Sequence, residues 1–245
     1  MIDSSDIRPI ADNRVSVDCV VLGFDLEQLH CLLIRRTGEE NGEVFNDMKL
    51  PGSLIYMDED LDDAAKRVLG ELTGLKNIHL SQFRAYGGRL RTSNPKDVHW
   101  LERAMEMKID RIVTIAYISL IRIDRTISRD LEGNESLWVP VSEVPALAFD
   151  HNIIIRDAME YIHTLFHLNP SVMFDLLPRR FTATQLRRLY CILSGKEIDA
   201  RNFYKKLSMM PWVVPMEAKE KGVAHRAGRL YRFDRALYSK SRLLG

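Results

Sequence analysis

The chain has 245 residues, of which 35 are Lys or Arg and 34 are Asp or Glu, so its formal net charge is only +1. Its longest strongly apolar run, 112–121, has ten residues, far fewer than the ~20 that span a bilayer. The N-terminal residues have neither a basic start nor an apolar core, so no secretory signal is visible. We therefore expect a soluble cytoplasmic protein of one or two domains with no membrane-bound part.

The near-zero net charge hides an uneven distribution along the chain. Residues 171–245 carry 16 Lys or Arg against 6 Asp or Glu, and the residues before them carry 19 against 28. Such asymmetry is typical of an acidic domain joined to a basic domain that binds a polyanion. A helical pattern meets a proline at residue 170, which favours a break in the chain. We place the domain boundary there, with one domain at 1–168 and the other at 169–245.

The first half predicts an α/β or α+β domain. Strands are indicated by β-branched and aliphatic runs, and helices by apolar residues at three-and-four spacing. The predicted strands are 15–24, 28–36, 79–86, 111–123 and 137–141, and the predicted helices are 61–72 and 152–168. A polar turn between the first two strands predicts a hairpin, and 47–50 leads into a loop before the first helix. The three cysteines lie in apolar segments without CxxC spacing, which predicts reduced core thiols.

One stretch of this half resembles a catalytic motif that has lost catalytic groups. It is similar to the Nudix box, and the matching positions are Ser53, Glu59, Arg67, Glu71, Gly74 and Leu75. Val68 and Leu72 stand where the family has metal-binding glutamates, and they extend the apolar stripe of the helix. A divalent ion that bridges phosphates needs several carboxylate oxygens, and only Glu71 remains of three on this helix. We therefore expect no catalytic residue and no metal.

Residues 87–110 have no counterpart in the shorter family pattern. They could form a short helix that begins near Pro95, with Trp100, Leu101 and Met105 covering a pocket or a partner surface. A longer surface loop is the alternative.

The second half predicts a helix-turn-helix followed by a wing. A capping-box pattern at 182–185 begins a helix that Gly195 ends. Asp199 is a suitable N-cap for a second helix that runs to Met209. Two strand-like runs flank a basic loop and complete the wing, and these runs are 212–214 and 229–233.

The basic residues of this half predict binding to double-stranded DNA. Lys and Arg bind the phosphates of a duplex by releasing counterions, and the forked side chains of Arg and Asn reach base edges. The residues that we expect to bind DNA are Thr184, Arg201, Asn202, Tyr204, Lys205, Lys206, Lys219, Lys221, His225, Arg226 and Arg229. A winged helix that serves only protein–protein contact is an alternative.

Over nearly its whole length the chain resembles the Nudix-related transcriptional regulators, the NrtR type and its sugar-responsive relatives. The supporting segments are 63–75, 111–117, 145–151, 176–178 before 181–182, 201–203 and 230–233. The box is similar to that of the arabinose-responsive branch, from which the 87–110 segment departs. The resemblance implies a Nudix-like mixed-sheet sandwich with helices on both faces, followed by a winged helix-turn-helix. It also implies a homodimer that binds an inverted-repeat operator.

The resemblance further implies a small-molecule effector, a pentose sugar or an ADP-ribose-like metabolite, bound without a cofactor in the former substrate cleft. The candidate effector-binding residues are Lys49, Tyr56, Glu59, Tyr117, Phe149, Asp150 and His151. As alternatives, Tyr117 and Phe149 are core aromatics and His151 caps the following helix. The competing function is a residual ADP-ribose pyrophosphohydrolase that draws carboxylates from elsewhere, such as Glu40, Glu59 or Asp60.

Overall fold

The computed structural model describes residues 11–131, 135–220, 222 and 227–243. The chain divides into two compact units. The first comprises the described parts of Met1–Leu22, His30–Ser119 and Asp124–Ala158, and the second those of Gly23–Leu29, Leu120–Ile123 and Met159–Gly245. In these described ranges, no helix combines the length and the hydropathy that a membrane span requires.

The larger sheet has seven strands. They are β1 (Ala11–Phe24), β2 (Leu29–Glu40), β3 (Glu43–Lys49), β4 (Gly52–Tyr56), β5 (Ser81–Tyr86), β6 (Val113–Arg122) and β7 (Ser136–Pro140). The order is β3-β2-β1-β6-β5, while β4 pairs with β1 and β7 pairs with β2. The register sets Asp18 opposite Gly52 and Ile34 opposite Lys49. The end of β3 therefore lies beside the middle of β2, and the start of β4 lies beside the middle of β1.

The central strand β1 is buried from residue 16 to residue 24. A continuous buried run is typical of a strand that is covered on both faces. The helices of the first unit are α1 (Leu61–Thr73), α2 (Pro95–Met105), α3 (Arg125–Asp130) and the part of α4 (His151–Leu168) up to Ala158. Helix α1 packs on β1, since the Cys19 Sγ atom lies 3.6 Å from the carbonyl oxygen of Ala65. All three cysteines are buried and free, as predicted.

Helix α1 confirms the predicted amphipathic box helix. Its buried side is formed by alanines and aliphatic residues, including Val68 and Leu69. The helix ends at Gly74, whose φ of 75° lies in the left-handed region and whose amide donates to the Gly70 carbonyl oxygen. Glycine takes this conformation without steric cost, which makes it the usual helix terminator.

The stretch before α1 differs from the prediction, which had only a loop after 47–50. Strands β3 and β4 occupy most of it, and β2 and β3 form a hairpin in which Glu40 pairs with Glu43. The turn is Asn41-Gly42, with φ angles of 54° and 83°. Asn-Gly with both φ positive is the favoured two-residue hairpin turn. The Asn-Gly pair in the sequence therefore indicated this hairpin, but the predicted strands did not include it.

The 87–110 segment contains a helix, so the surface-loop alternative is wrong. The Asn94 side chain accepts a hydrogen bond from the Lys96 amide, and Pro95 occupies the first turn of α2. Both features are typical of helix N-termini.

The second unit has a three-stranded sheet of order β8-β10-β9. Its further elements are α5 (Val172–Asp175), β8 (Phe181–Thr182), α6 (Ala183–Ser194), α7 (Ala200–Ser208), β9 (Val213–Lys219), β10 (Arg229–Phe233) and α8 (Arg235–Leu243). The capping box is confirmed, because Thr182 and Gln185 exchange side-chain and backbone hydrogen bonds. Strand β9 is longer than predicted and α8 was not predicted.

Aromatic and aliphatic side chains form the core of the second unit. The rings of Phe174 and Phe233 stack with their centroids 3.9 Å apart. Leu189 of α6 and Phe203 of α7 are buried, as the helical spacing predicted. The two helices and the wing strands thus form the predicted winged helix-turn-helix.

Candidate functional site

Glu59 and Tyr56 lock the start of α1 to the end of β4. The Arg67 guanidinium donates to both Glu59 oxygens, at 2.9 and 2.5 Å, and lies 3.8 Å from the centroid of the Tyr56 ring. The Tyr56 amide donates to Glu59 at 2.7 Å. Hydrogen bonds from Arg67 lower the pKa of the Glu59 carboxyl. The contacts of Glu59 and Tyr56 described here are therefore with residues of β4 and α1.

The box positions on α1 carry one carboxylate. Val68 is fully buried, Leu72 is half-buried, and Glu71 is exposed. The Arg67 guanidinium donates to Glu71 at 3.1 Å. Of the box positions 68, 71 and 72, only position 71 thus carries a carboxylate, and Arg67 already binds it.

A small cavity lies in the first unit, away from these box positions. Its volume is about 30 Å³, enough for roughly one water molecule. The lining residues come from β1, from the end of β3 and the first half of β4, from residues 91–112, and from the loop before α4 together with its first residue. They are Ser16, Asp18, Lys49, Gly52, Ser53, Leu54, Arg91, Trp100, Leu101, Ile112, Phe149 and His151.

Asp18 is the buried anion of this cavity. It accepts a hydrogen bond of 2.6 Å from Arg91, and its other oxygen lies 3.4 Å from the His151 Nε2 atom. Burial alone raises the pKa of this carboxyl, but His151, Arg91 and Lys49 lower it well below its usual range. Gly52 lies opposite, where a Cβ atom would collide with the Asp18 carboxylate. The site therefore requires glycine at that position.

Lys49 is the second buried charge in the wall. Its ammonium group donates to the carbonyl oxygens of Gly52 and Leu50 at 2.6 and 3.2 Å. Burial lowers its pKa to about 8, an effect that Asp18 partly offsets. The pKa of Lys49 is thus close to neutral pH.

His151 presents one ring nitrogen to the cavity. Its Nδ1 atom accepts a hydrogen bond of 2.9 Å from the Leu50 amide, so the neutral ring carries its proton on Nε2. Within the described part of the chain, Nε2 and the Ser16 hydroxyl are buried and make no hydrogen bond. The 3.4 Å contact with Asp18 is long for one. Among the described residues, the Ser16 hydroxyl therefore has no partner, and Nε2 has only its long contact with the Asp18 carboxylate.

Two buried arginines attach the 87–110 segment to the rest of the unit. Arg91 pairs with Asp18 and also with Asp150. Arg36 donates to Asp47 at 2.7 Å and to Asp97 of α2 at 2.6 Å.

Aromatic rings surround the Arg36 guanidinium within 5.0 to 5.9 Å. The rings belong to Phe45, Trp100 and Phe149. Asp97 also accepts a hydrogen bond from the Phe149 amide, which holds Phe149 at a φ of 55° that bulky residues rarely adopt.

The structure brings together part of the predicted effector set. Lys49, Phe149 and His151 line the cavity, and Asp150 holds Arg91 beside it. Tyr56 and Glu59 lie at the start of α1, as described above. Tyr117 is buried, and its hydroxyl donates to Asp62 at 2.6 Å; it does not line this cavity.

Sequence reasoning missed Ser16, Asp18, Arg36, Arg91 and Asp97. A signal existed for two of them, because Asp18 interrupts the apolar run of β1 and Arg36 follows an apolar run in β2. Charged residues are almost never fully buried unless they are paired. Such a residue in a central strand therefore indicates a buried partner, although the sequence does not say which one.

The second unit exposes most of the predicted DNA-binding residues. Asp199 caps α7 by accepting from the Asn202 amide at 3.0 Å, and the Asn202 side chain donates back to Asp199 at 2.6 Å. The Lys206 ammonium lies 4.9 Å from the centroid of the Tyr190 ring. Of the predicted set, Thr184, Arg201, Asn202, Tyr204, Lys205, Lys219 and Arg229 are exposed, and Lys206 is half-buried.

The wing brings two of these residues together. Lys219 of β9 pairs in register with Arg229 of β10. The other predicted wing residues, Lys221, His225 and Arg226, lie outside the described residues. The exposed start of α7 and the wing strands are thus the described parts of the candidate nucleic-acid interface.

Two family models match the chain. Residues 12–161 match the NUDIX domain, which is more than half of the sequence. The chain belongs to the NUDIX domain family. Residues 173–233 match the NrtR DNA-binding winged helix domain. The predicted domain boundary after residue 168 falls between the two matches and stays a prediction.

Related proteins are similar to this chain over most of its length. The ADPR responsive transcriptional repressor NtrR of Acinetobacter baylyi is 26% identical over 223 residues, which cover 89% of this chain and 81% of the relative. The crystal structure of Shewanella oneidensis NrtR complexed with a 27mer DNA has a TM-score of 0.62 at 23% identity, covering 92% of this chain and 95% of that chain. A MutT/nudix family protein from Enterococcus faecalis has a TM-score of 0.59 at 21% identity, covering 94% and 89%. The predicted fold, a Nudix-like α+β domain followed by a winged helix-turn-helix, is confirmed.

Nudix hydrolases hold a divalent ion through carboxylates of the box helix, and the residues of α1 do not fit such an ion. Val68 and Leu72 supply no oxygen, and Glu71 is paired with Arg67. In the part of the chain that the structure describes, no three His, Cys, Asp or Glu side chains group as a metal site.

Proposed function

We propose that this Nudix protein is a DNA-binding transcriptional regulator whose first unit binds a small effector and does not hydrolyse it. The observation that carries the proposal is the match of residues 173–233 to the NrtR DNA-binding winged helix domain, with Arg201, Asn202 and Lys205 exposed on α7. Arg and Asn reach base edges in the major groove, and Lys binds phosphate. The transcriptional repressor of Acinetobacter baylyi, similar over most of its length, supports the same function.

The proposed assembly is a homodimer on an inverted-repeat operator. Each α7 enters a major groove, and the two-fold symmetry of the protein matches that of the DNA. Effector binding favours one dimer geometry over another and so changes the fit to the two half-sites. Whether the effector releases or recruits the DNA depends on which geometry it favours.

Two classes of effector are each supported by one observation. The name of the Acinetobacter relative, an ADPR responsive repressor, favours an ADP-ribose-like metabolite. The small cavity of about 30 Å³, with its buried Asp18, Lys49 and His151, favours a smaller polar ligand such as a pentose.

The proposal is tested by DNA binding of the purified full-length chain. Fluorescence anisotropy with a duplex from the region upstream of its own gene is expected to give specific binding that falls steeply with salt. The double variant Arg201→Ala with Lys205→Ala is expected to weaken it at least tenfold. A matched control removes the same charge from the first unit, through Lys66→Ala with Arg89→Ala, and should leave the affinity within about twofold.

Two results would contradict the proposal. One is equal DNA affinity of the wild type and the α7 double variant. The other is hydrolysis of ADP-ribose with Mg²⁺ at ordinary enzymatic rates, abolished by Glu71→Gln, which would make the chain a pyrophosphohydrolase.

A further inference from the structure

The turn between β1 and β2 belongs to the second unit and binds a cation of α6. Residues Gly23–Leu29 lie in the same compact unit as the winged helix, and the Arg188 guanidinium donates to the Glu27 carboxylate at 3.1 Å. We infer that Arg188 is a further contact to DNA phosphate and that Glu27 competes with phosphate for it. The inference rests on the proposed function, because it adds a contact and a competitor to the proposed DNA-binding surface.

Arg188 and the turn line one groove of the second unit, which has a volume of about 490 Å³. Thr184, Tyr204 and Arg229 of the predicted DNA-binding set line the same groove, as do residues 25–27 of the turn. Thr184 and Arg188 are four residues apart on α6, so their side chains lie on the same face of the helix. Arg188 is therefore placed beside residues that the sequence assigned to DNA, although it was not among them.

Arg188 is available to a ligand, whereas its neighbour Arg187 is not. The Arg187 guanidinium donates to the Ile198 carbonyl oxygen at 2.9 Å, which ties α6 to the segment before α7. The Arg188 side chain is 40% exposed, and the Glu27 side chain that binds it is 74% exposed. An exposed ion pair contributes little to stability, and a guanidinium binds phosphate as readily as carboxylate. A DNA phosphate can thus replace Glu27 at small cost.

The charges along the groove oppose phosphate as long as the turn is in place. The sequence of the second unit is strongly basic, yet carboxylates outnumber guanidinium groups three to two among the groove residues that the structure describes. The carboxylates are those of Asp25, Glu27 and Glu220, and the guanidinium groups are those of Arg188 and Arg229. Because like charges placed side by side weaken binding, the two carboxylates of the turn lower the affinity of this groove for DNA.

The turn presents Glu27 from a fixed backbone. The Asp25 carboxylate accepts hydrogen bonds from the amides of Glu27 and Gln28, both at 2.8 Å. Leu26 has a φ of 83°, which bulky residues rarely adopt. Such a conformation persists only where the surrounding structure enforces it. The position of Glu27 beside Arg188 is therefore built into the fold of the turn.

The test measures DNA binding of the full-length chain by fluorescence anisotropy, with the same upstream duplex at several salt concentrations. Glu27→Gln releases Arg188, so the affinity should rise about three- to tenfold and the slope of log K against log salt should steepen by about 0.9. Glu160→Gln is the matched control, since it removes the same charge from an exposed position of the second unit outside the groove. The control should leave the affinity within about twofold, because salt screens a distant charge.

A double-mutant cycle separates the release of Arg188 from a general effect of charge. In the Arg188→Ala background, Glu27→Gln should change the affinity by less than about twofold, because no guanidinium is left to release. The melting temperature of Glu27→Gln without DNA should stay close to that of the wild type, since the lost ion pair is exposed.

Three results would contradict the inference. Unchanged or lower affinity of Glu27→Gln, with DNA binding by the wild type intact, overturns it and leaves the proposed function standing. An equal gain from Glu27→Gln in the Arg188→Ala background also overturns it alone. Absence of DNA binding by both the wild type and Glu27→Gln overturns the proposed function as well.

Discussion

The two units use charged side chains in opposite ways. In the first unit, Arg36, Asp97 and Asp18 are buried and held in pairs. In the second, Arg201 and Lys205 stand exposed on a short helix. Buried pairs are rigid and weakly screened by salt, whereas exposed cations keep their solvation and respond to salt.

This difference separates two kinds of recognition. Charges that are buried in pairs already bind groups of their own unit. A set of exposed cations suits a polyanion, because binding releases counterions from the polyanion.

The largest effect is expected from Asp97→Ala. The variant leaves the Arg36 cation buried with one carboxylate fewer and removes the acceptor of the Phe149 amide. The free energy of unfolding should fall by about 3–5 kcal/mol. Asp63→Ala is the matched control, since its ion pair with Lys66 is exposed and worth about 0–1 kcal/mol. Urea denaturation of the two variants measures both losses of unfolding free energy. Equal losses would contradict the prediction.

A pH-dependent effect is expected from Lys49. Burial lowers its pKa to about 8 in the folded protein, while the unfolded chain keeps the proton up to about 10.4. Between these values the unfolded state binds more protons, so stability rises with pH. The difference in unfolding free energy, wild type minus Lys49→Met, should grow on the order of 3 kcal/mol from pH 7.5 to 10.5. The same difference for exposed Lys66→Met should stay flat, and a flat Lys49 difference would show that its pKa is not lowered.

The contrast between the units also explains what the sequence could predict. Local patterns were enough for α1, for the capping box at Thr182 and for the cap at Asp199, because neighbouring residues decide them. The pairing of Arg36 with Asp97, which lie 61 residues apart, depends on the tertiary fold. Periodicity cannot show which distant partner a buried charge will meet.

The candidate site was predictable only in part. The family resemblance proposed Phe149 and His151 as effector-binding residues, and the structure places both in the cavity lining. Tyr117 followed the same reasoning but has Asp62 as its partner. Trp100 and Leu101 of the 87–110 segment were predicted to cover a pocket or a partner surface, and they line the cavity. Asp18 of β1 and Arg91 escaped prediction, because their contacts are non-local.

A smaller effect is expected at the Thr182 cap of α6. Thr182→Ala removes the oxygen that accepts from the Gln185 amide at 3.2 Å, which should cost about 1 kcal/mol of stability in the second unit. Thr184→Ala, an exposed position two residues along, should cost nothing measurable because alanine is a better helix former. Thermal denaturation followed by circular dichroism measures both. Equal melting temperatures for the two variants would argue against the capping box.

The smallest effect is expected from single lysines on α7, and its size should differ between the neighbours Lys205 and Lys206. Lys205 is exposed, so Lys205→Ala should remove about one phosphate contact and reduce the slope of log K against log salt by about 0.9. The Lys206 ammonium lies over the Tyr190 ring, so it is partly committed within its own unit, and Lys206→Ala should change the slope less. Anisotropy titrations with operator DNA at several salt concentrations measure both slopes. A larger decrease for Lys206→Ala than for Lys205→Ala would contradict this prediction. Exposure would then not determine which cations bind DNA, and the DNA-binding face of α7 would instead be the face that contains Lys206.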